Sequence, residues 1–293
     1  GIWNDSICGP ETNFVEMVCR PSSTRYSVER SAPLRVRALS RRCTRSSSDS
    51  RVLLSILLAS SRASVCPPPP AVPSMYRPPA AGCSRDCQAC AARCGQPPLI
   101  IAVDQEGGPV ARLKAPHFTE FTGNPAMRDE DDARAFARTT ALELSTAGIN
   151  MDMAPVMDVA PDDHSGIMAD RVFGEAPGLV GSLGRAVIRA LQDGGVAATA
   201  KHFPGHGDTD KDSHHTLPVI NHSKERLNST ELFPFKYLVD HDLMAVMTAH
   251  LNIPALDSTP QLASSLSPPI INGLLKKEMD FKGLIITDAL EMK

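Results

Sequence analysis

The chain of 293 residues is 42% hydrophobic and 22% charged with a net charge of -3, long enough for one large α/β domain or two small ones. So small a net charge argues on its own for neither a nucleic-acid partner nor docking on an acidic membrane surface, and no nucleic-acid partner is expected. The average conceals two unlike parts: residues 1–98 hold thirteen Arg, no Lys and six acids, whereas residues 99–293 hold seventeen Lys plus Arg against twenty-seven acids.

All eight cysteines (Cys8, Cys19, Cys43, Cys66, Cys83, Cys87, Cys90 and Cys94) fall in the first part, with the run Pro67 to Pro70 and many Ser. An even count suggests disulfides, and the C-x3-C-x2-C-x3-C cluster from Cys83 to Cys94 suggests a metal. Neither is adopted, because the spacing matches no zinc pattern and no His stands nearby. The composition reads as a low-complexity segment over 1–97, disordered or non-native to the domain that begins at 98. Its one apolar run, Leu53 to Ala59, is too short to cross a bilayer, so no membrane span is expected. Arg51 ahead of it gives the look of a signal-peptide core, but it lies far from residue 1, and the cytoplasm is favoured over secretion.

From Pro98 the pattern becomes regular. Leu99 to Val103 is a β-branched run expected as a strand buried on both faces, ending at Asp104. Asp129 to Ala147 is expected as a helix, with acids in the first turn where the helix dipole favours them and Phe136, Leu142 and Leu144 as its apolar positions. A second strand is expected over Asn150 to Val156, running to Asp158. Gly178 to Asp193 forms a helix with Leu183, Val187 and Leu191 on one face, and the strand after it leads to Lys201 and His202. Ser229 to Asp240 reads as helix despite Pro234. Leu243 to Thr248 reads as a strand ending near His250, and Ser267 with Pro268 opens a helix over Ile270 to Met279. Gly283 to Thr287 is a last strand running into Asp288.

Alternating strands and helices of this length imply parallel strands with right-handed crossovers. Polar residues close each strand, at Asp104, Asp158, Lys201 with His202, His250 and Asp288. In a (β/α)8 barrel these ends converge on one mouth, whereas an open sheet gathers ligand groups at a single switch point. The barrel accounts for all five.

The segments IAVDQEGGPVARL, DRVFGEAP, KHFPGHGDTDKDSH, MTAHLNIPALD and FKGLIITDALEM, in this order over residues 98–293, resemble the N-terminal barrel domain of family 3 glycoside hydrolases. Within that family they look most like the bacterial β-N-acetylhexosaminidases acting on terminal N-acetylglucosamine. The resemblance implies a retaining mechanism with Asp288 as nucleophile, a carboxylate suited to an oxocarbenium-like transition state and a glycosyl-enzyme. It implies His214 as general acid/base with Asp212 as its partner, the imidazole giving a proton to the leaving oxygen and later taking one from water. Asp104, Arg171, Lys201 and His202 match positions that hold the sugar; His206 and His250 lie in the same motifs as candidates to line the pocket, with packing in the core or behind the sugar-binding groups favoured for His250, and Asp158 is read as structural. No cofactor or metal is implied. The expected partner is a small carbohydrate, an N-acetylglucosamine-containing glycan or muropeptide, which points to peptidoglycan recycling.

Three alternatives stand beside this reading. A family 3 β-glucosidase or xylosidase would lack the Asp-Ser-His loop, and a neutral acid/base admits phosphorolysis as well as hydrolysis. His202, His206, His214 and His215 with nearby Asp residues form the basis of a metal-dependent hydrolase, although no helix preorganises them. The third is an inactive fragment: the family barrel has two strands ahead of the DQEGG strand that are not recognisable in 1–98 and a last βα unit after Asp288, so the barrel is expected to be incomplete. Residues 51–58 offer a stand-in for one missing strand on hydrophobicity alone.

Overall fold

A computed structural model of the chain describes residues 12–19, 52–59, 79–160, 168–207, 209, 217–239 and 241–290. Its sheet has seven strands in the order β1 (Thr12–Cys19), β2 (Val52–Ala59), β3 (Ile100–Val103), β6 (Met151–Asp152), β7 (Ala197–Phe203), β8 (Ala245–Thr248) and β9 (Leu284–Thr287). From β3 to β9 every neighbouring pair is parallel. A separate small hairpin, β4 (Gln105–Gly107) with β5 (Val110–Ala111), folds directly after β3.

Helices link the parallel strands: α2 (Glu130–Thr146) after β3, α3 (Pro177–Asp193) after β6, α4 (Lys224–Ser229) and α5 (Phe233–Val239) after β7, and a π-helix, Pro269–Glu278, after β8. The sheet buries both faces. Ile101 and Val103 of β3 turn toward the helices, joining Phe136, Leu144, Leu183, Val187 and Leu191 in the larger core. The alternate residue Ala102 packs on the other face with Met151, Met153, Ala245, Met247 and Ile286. This two-sided burial is the reason β3 is a continuous apolar run rather than an alternating one.

Local chemistry accounts for the element ends. Asp129 caps α2, its carboxylate accepting the N–H groups of Asp131 and Asp132, each at 3.0 Å, as an N-cap should. The buried stripe of α2 is Ala133, Phe136, Ala137, Thr140, Ala141 and Leu144. Leu142, expected as a core position, is instead 54% exposed, because the i, i+3, i+4 spacing set by Phe136 and Leu144 passes through residues 140 and 141. Leu183, Val187 and Leu191 of α3 are buried as expected.

Three segments differ from expectation. The strand expected over 150–156 is reduced to Met151–Asp152, since Pro155 has no N–H to give to the ladder; an isolated parallel bridge between Val156 and Lys201 resumes the pairing. The helix expected over 229–240 begins only at Phe233, as α5, after a separate short helix α4 that is capped by Ser223 and ends at Ser229; Pro234 lies in the first turn of α5, where its missing N–H is not needed. Within 1–97, β1 and β2 are paired strands, β2 lies against β3, and α1 (Pro79–Arg93) comes after them in the chain. Both of these pairings are antiparallel, unlike a barrel strand.

Among the described residues no helix is long and apolar enough to cross a membrane.

Candidate active site

The C-terminal ends of the parallel strands carry the ionisable groups. Lys201, in β7, is 2% exposed, and its Nζ lies 2.9 Å from Asp104 Oδ1 and 2.6 Å from Glu106 Oε1. Glu106 in turn binds Arg171 in a bidentate fork, Nε to Oε2 at 2.9 Å and Nη2 to Oε1 at 2.8 Å. Asp104 has a second cation, Arg112 Nη2, at 3.7 Å. Two carboxylates, the buried Lys201 and the half-buried Arg171 thus form one connected set, the arrangement that makes burial of such charges tolerable.

The hairpin after β3 presents these acids. Gln105 ties it together from inside: its side-chain amide donates to the Leu113 carbonyl at 2.8 Å, and its Oε1 accepts the N–H groups of Arg112 and Leu113. Burial by itself would raise the pKa values of Asp104 and Glu106. The Lys201 ammonium, with Arg112 and Arg171 around Asp104 and Arg171 around Glu106, outweighs burial and holds both below the ordinary carboxylate range. Burial likewise opposes the charge on Lys201, and the two carboxylates overcome it, raising its pKa.

A second set surrounds Asp158, which is fully buried. Its carboxylate accepts the backbone N–H of His202 at 3.2 Å and that of His206 at 2.6 Å, and meets His202 Nδ1 at 2.7 Å. Burial works against its charge, but His202 and His206 together with these hydrogen bonds keep its pKa low. An ionised Asp158 can only accept, so His202 carries its proton on Nδ1 and directs Nε2 outward. That nitrogen lies 3.9 Å from Asp288 Oδ2. The His206 ring is held by Thr209 Oγ1 at 2.9 Å from Nδ1; burial first, then the neighbouring His202, lowers its pKa.

The turn after β7 needs its glycines. Gly205 has φ +129°, and a Cβ on Gly207 would stand 2.0 Å from the Val159 carbonyl oxygen, a contact no side chain can accept.

Asp288 comes directly after β9. Its N–H donates to the Thr248 carbonyl at 2.9 Å, continuing the pairing with β8, and its Oδ1 accepts the N–H of Ala289 at 2.8 Å. His250, past the end of β8, reaches the same place: Nε2 lies 3.3 Å from the Asp288 carbonyl and 3.2 Å from that of Ala289.

The structure therefore brings Asp104, Arg171, Lys201, His202, His206 and Asp288 to one end of the sheet. Asp212 and His214, with Asp208, Asp210 and His215, lie outside the described residues. Among the described residues no group of three or more His, Cys, Asp or Glu is placed to hold a metal ion.

Two buried acids escape sequence reasoning. Glu106 stands two residues beyond Asp104, and its signal is the doubled acid in DQEGG after a buried strand. Asp152, at the end of β6, is fully buried; its Oδ1 accepts the Gln105 N–H at 3.0 Å, while among the described residues Oδ2 has no hydrogen-bond partner. Burial pushes its pKa well up, and the charges of Asp104 and Glu106 add to this, against Lys201 and the Gln105 N–H.

Fold and site together define an α/β domain with its working groups at the carboxyl ends of parallel strands. Residues 83–293 match the glycosyl hydrolase family 3 N-terminal domain, and the chain belongs to that family. The match begins inside α1, ahead of the boundary at 98 drawn from the motifs. The β-hexosaminidase A of Pseudoalteromonas piscicida is 37% identical over 213 residues, covering 67% of this chain and 36% of its own length. The β-hexosaminidase of Chromobacterium violaceum is 36% identical over 208 residues, covering 67% of this chain and 56% of its own. Among solved structures, the family 3 β-N-acetylglucosaminidase of Paenibacillus sp. str. FPU-7 superposes with a TM-score of 0.70 at 42% identity, covering 73% of this chain and 41% of that one. NagZ from Neisseria gonorrhoeae, in complex with N-trifluoroacetyl-D-glucosamine, superposes with a TM-score of 0.63 at 31% identity, covering 72% and 62%. The chain thus spans about a third to three fifths of the length of these relatives.

Proposed function

We propose that residues 83–293, the family-matched part of the chain, are the catalytic part of a retaining, exo-acting β-N-acetylglucosaminidase, a partial (β/α)8 barrel. The observation that carries this reading is the position of Asp288, a carboxylate at a strand end facing His202 Nε2 at 3.9 Å. The names of the relatives and neighbours, β-hexosaminidase and β-N-acetylglucosaminidase, support the same sugar.

In this reading one oxygen of Asp288 attacks the anomeric carbon as the glycosidic C–O bond breaks, forming a glycosyl-enzyme that water then hydrolyses. His214, supported by Asp212, delivers the proton to the leaving oxygen and afterwards removes one from water. Asp104, Lys201 and Arg171 bind sugar hydroxyls, and Glu106 orients the two cations. His202 offers Nε2 as an acceptor, fixed in that tautomer by Asp158, with His206 at the pocket edge. No cofactor enters. The ligand is a small N-acetylglucosamine-containing glycan or muropeptide rather than nucleic acid.

The test is a panel of aryl β-N-acetylglucosaminide against aryl β-glucoside and β-xyloside, with the anomer of the first-formed product read by NMR. Turnover of the N-acetylglucosaminide with retention is the expected result. Preference for the glucoside, inversion, or no turnover would each overturn the reading.

A further inference from the structure

The residues between β8 and the π-helix build a support for the nucleophile's main chain. The ladder pairing β8 with β9 ends at Thr248 with Thr287, one residue before Asp288. Beyond it stands His250, whose Nε2 is 3.3 Å from the carbonyl oxygen of Asp288 and 3.2 Å from that of Ala289. Carbonyl oxygens only accept, so Nε2 must carry the proton and divide it between them. The other ring nitrogen, Nδ1, lies 2.6 Å from Ser265 Oγ. In the neutral imidazole this nitrogen accepts, and Ser265 is its donor.

Ser265 is itself held. It sits in the short turn Ser264–Leu266, and neighbouring Ser264 binds the chain on both sides of His250: its Oγ donates to the Ala249 carbonyl at 2.7 Å and accepts the Leu251 N–H at 3.3 Å, and its own N–H donates to the Leu251 carbonyl at 2.7 Å. The hydroxyl of Ser265 is thus delivered to the ring by a turn locked onto the histidine's own segment.

We propose that His250, with its tautomer set by Ser265, is a positioning residue that fixes the main chain at Asp288 and Ala289 and so aims the Asp288 carboxylate. The proposal rests on the reading of Asp288 as nucleophile. Ala289 N–H holds Asp288 Oδ1 at 2.8 Å, so the peptide whose carbonyl His250 grips is the one whose N–H orients the attacking group. A reacting oxygen must come within about 3–3.5 Å of its target, and a misplacement of about 1 Å can lower a rate on the order of a hundredfold.

The test uses the full chain and a 5-fluorinated N-acetylglucosaminyl fluoride, which labels Asp288 as the Asp288–C1 bond forms and fluoride leaves. In His250→Ala the labelling rate should fall by about ten- to a hundredfold, with the dissociation constant for N-acetylglucosamine held within about twofold. His250→Gln, which keeps an N–H at the tip, should recover much of the rate, and Ser265→Ala should lose less than His250→Ala. A labelling rate in folded His250→Ala within about twofold of the native chain, or equal losses in Ala and Gln variants with a matching fall in melting temperature, would overturn the proposal. If the native chain is not labelled, the functional reading is what fails; the ring then decides alone, since nitrogen chemical shifts showing protonated Nε2 that Ser265→Ala alters support the clamp, and protonated Nδ1 with bare Nε2 overturns it.

Discussion

On the β3 and β7 side of the site, Lys201 is 2% exposed and touches two carboxylates, whereas on the β8 and β9 side the Asp288 side chain is 20% exposed and is steadied by a backbone N–H. The first side is fixed by charge satisfied within the protein, and the second by main-chain hydrogen bonds that leave the Asp288 carboxylate partly exposed. Groups that bind a neutral sugar gain from being pre-set, because ordering them during binding would lower affinity. A nucleophile must stay uncommitted until the substrate arrives. In the proposed reading the same residue type, a strand-end acid, is put to opposite uses at Asp104 and Asp288.

The sharpest way to break this contrast is Asp288→Ala. Turnover of an aryl β-N-acetylglucosaminide should fall on the order of 10^4-fold, while urea unfolding should change by less than about 0.5 kcal/mol. A large stability loss would show that Asp288 is structural after all. Next in size is Glu106→Ala, which strips Lys201 and Arg171 of a shared partner and should destabilise by about 3–5 kcal/mol, as breaking a buried ion pair does. Unfolding midpoints near the native value would mean that water or Asp104 compensates, and the pre-set side would lose its distinction.

Acidity supplies a third and smaller handle. Asp104, Glu106 and Asp158 have lowered pKa values, so their stabilisation is present above the ordinary values of 3.8 and 4.5 and is lost as pH falls through the folded-state values. Asp152 has the opposite sign: its pKa is raised from 3.8, the native state holds the proton longer, and stability declines as pH rises above that value. Asp152→Asn should remove this decline, so that the variant gains on the native chain with rising pH, by about 1.4 kcal/mol for every tenfold difference in proton affinity between the folded and unfolded carboxyl. Unfolding curves at several pH values check it; parallel stability profiles for the two chains would rule it out. The smallest effect belongs to Leu142→Gln, expected within about 0.5 kcal/mol because that side chain lies outside the core.

Much of this architecture is legible in the residues themselves. Asp129 announces the start of α2, Leu183, Val187 and Leu191 announce the buried face of α3, and the polar residues closing the strands mark the end of the sheet where the site lies. The features that escape are set by partners distant in sequence. Nothing near Glu106 tells that its fork belongs to Arg171, nor does the neighbourhood of Asp152 tell that Gln105 occupies only one of its oxygens. Apolar character alone assigns Leu142 to the core, and helical phase puts it outside. The strand expected through Val156 is cut short by Pro155, which stands in plain sight. In β2, hydrophobicity alone gives no direction of pairing, and the strand runs opposite to its neighbour β3.

Asp158 works as a jig between the two halves of this contrast. One carboxylate grips the main chain at His202 and at His206 and also sets the His202 ring, so the arc between them is tied at both ends by a single side chain. An isosteric amide there would offer a single accepting oxygen to the same crowd of donors. Variation at this position should therefore loosen the main chain and the ring together, lowering stability as it frees the His202 imidazole to turn.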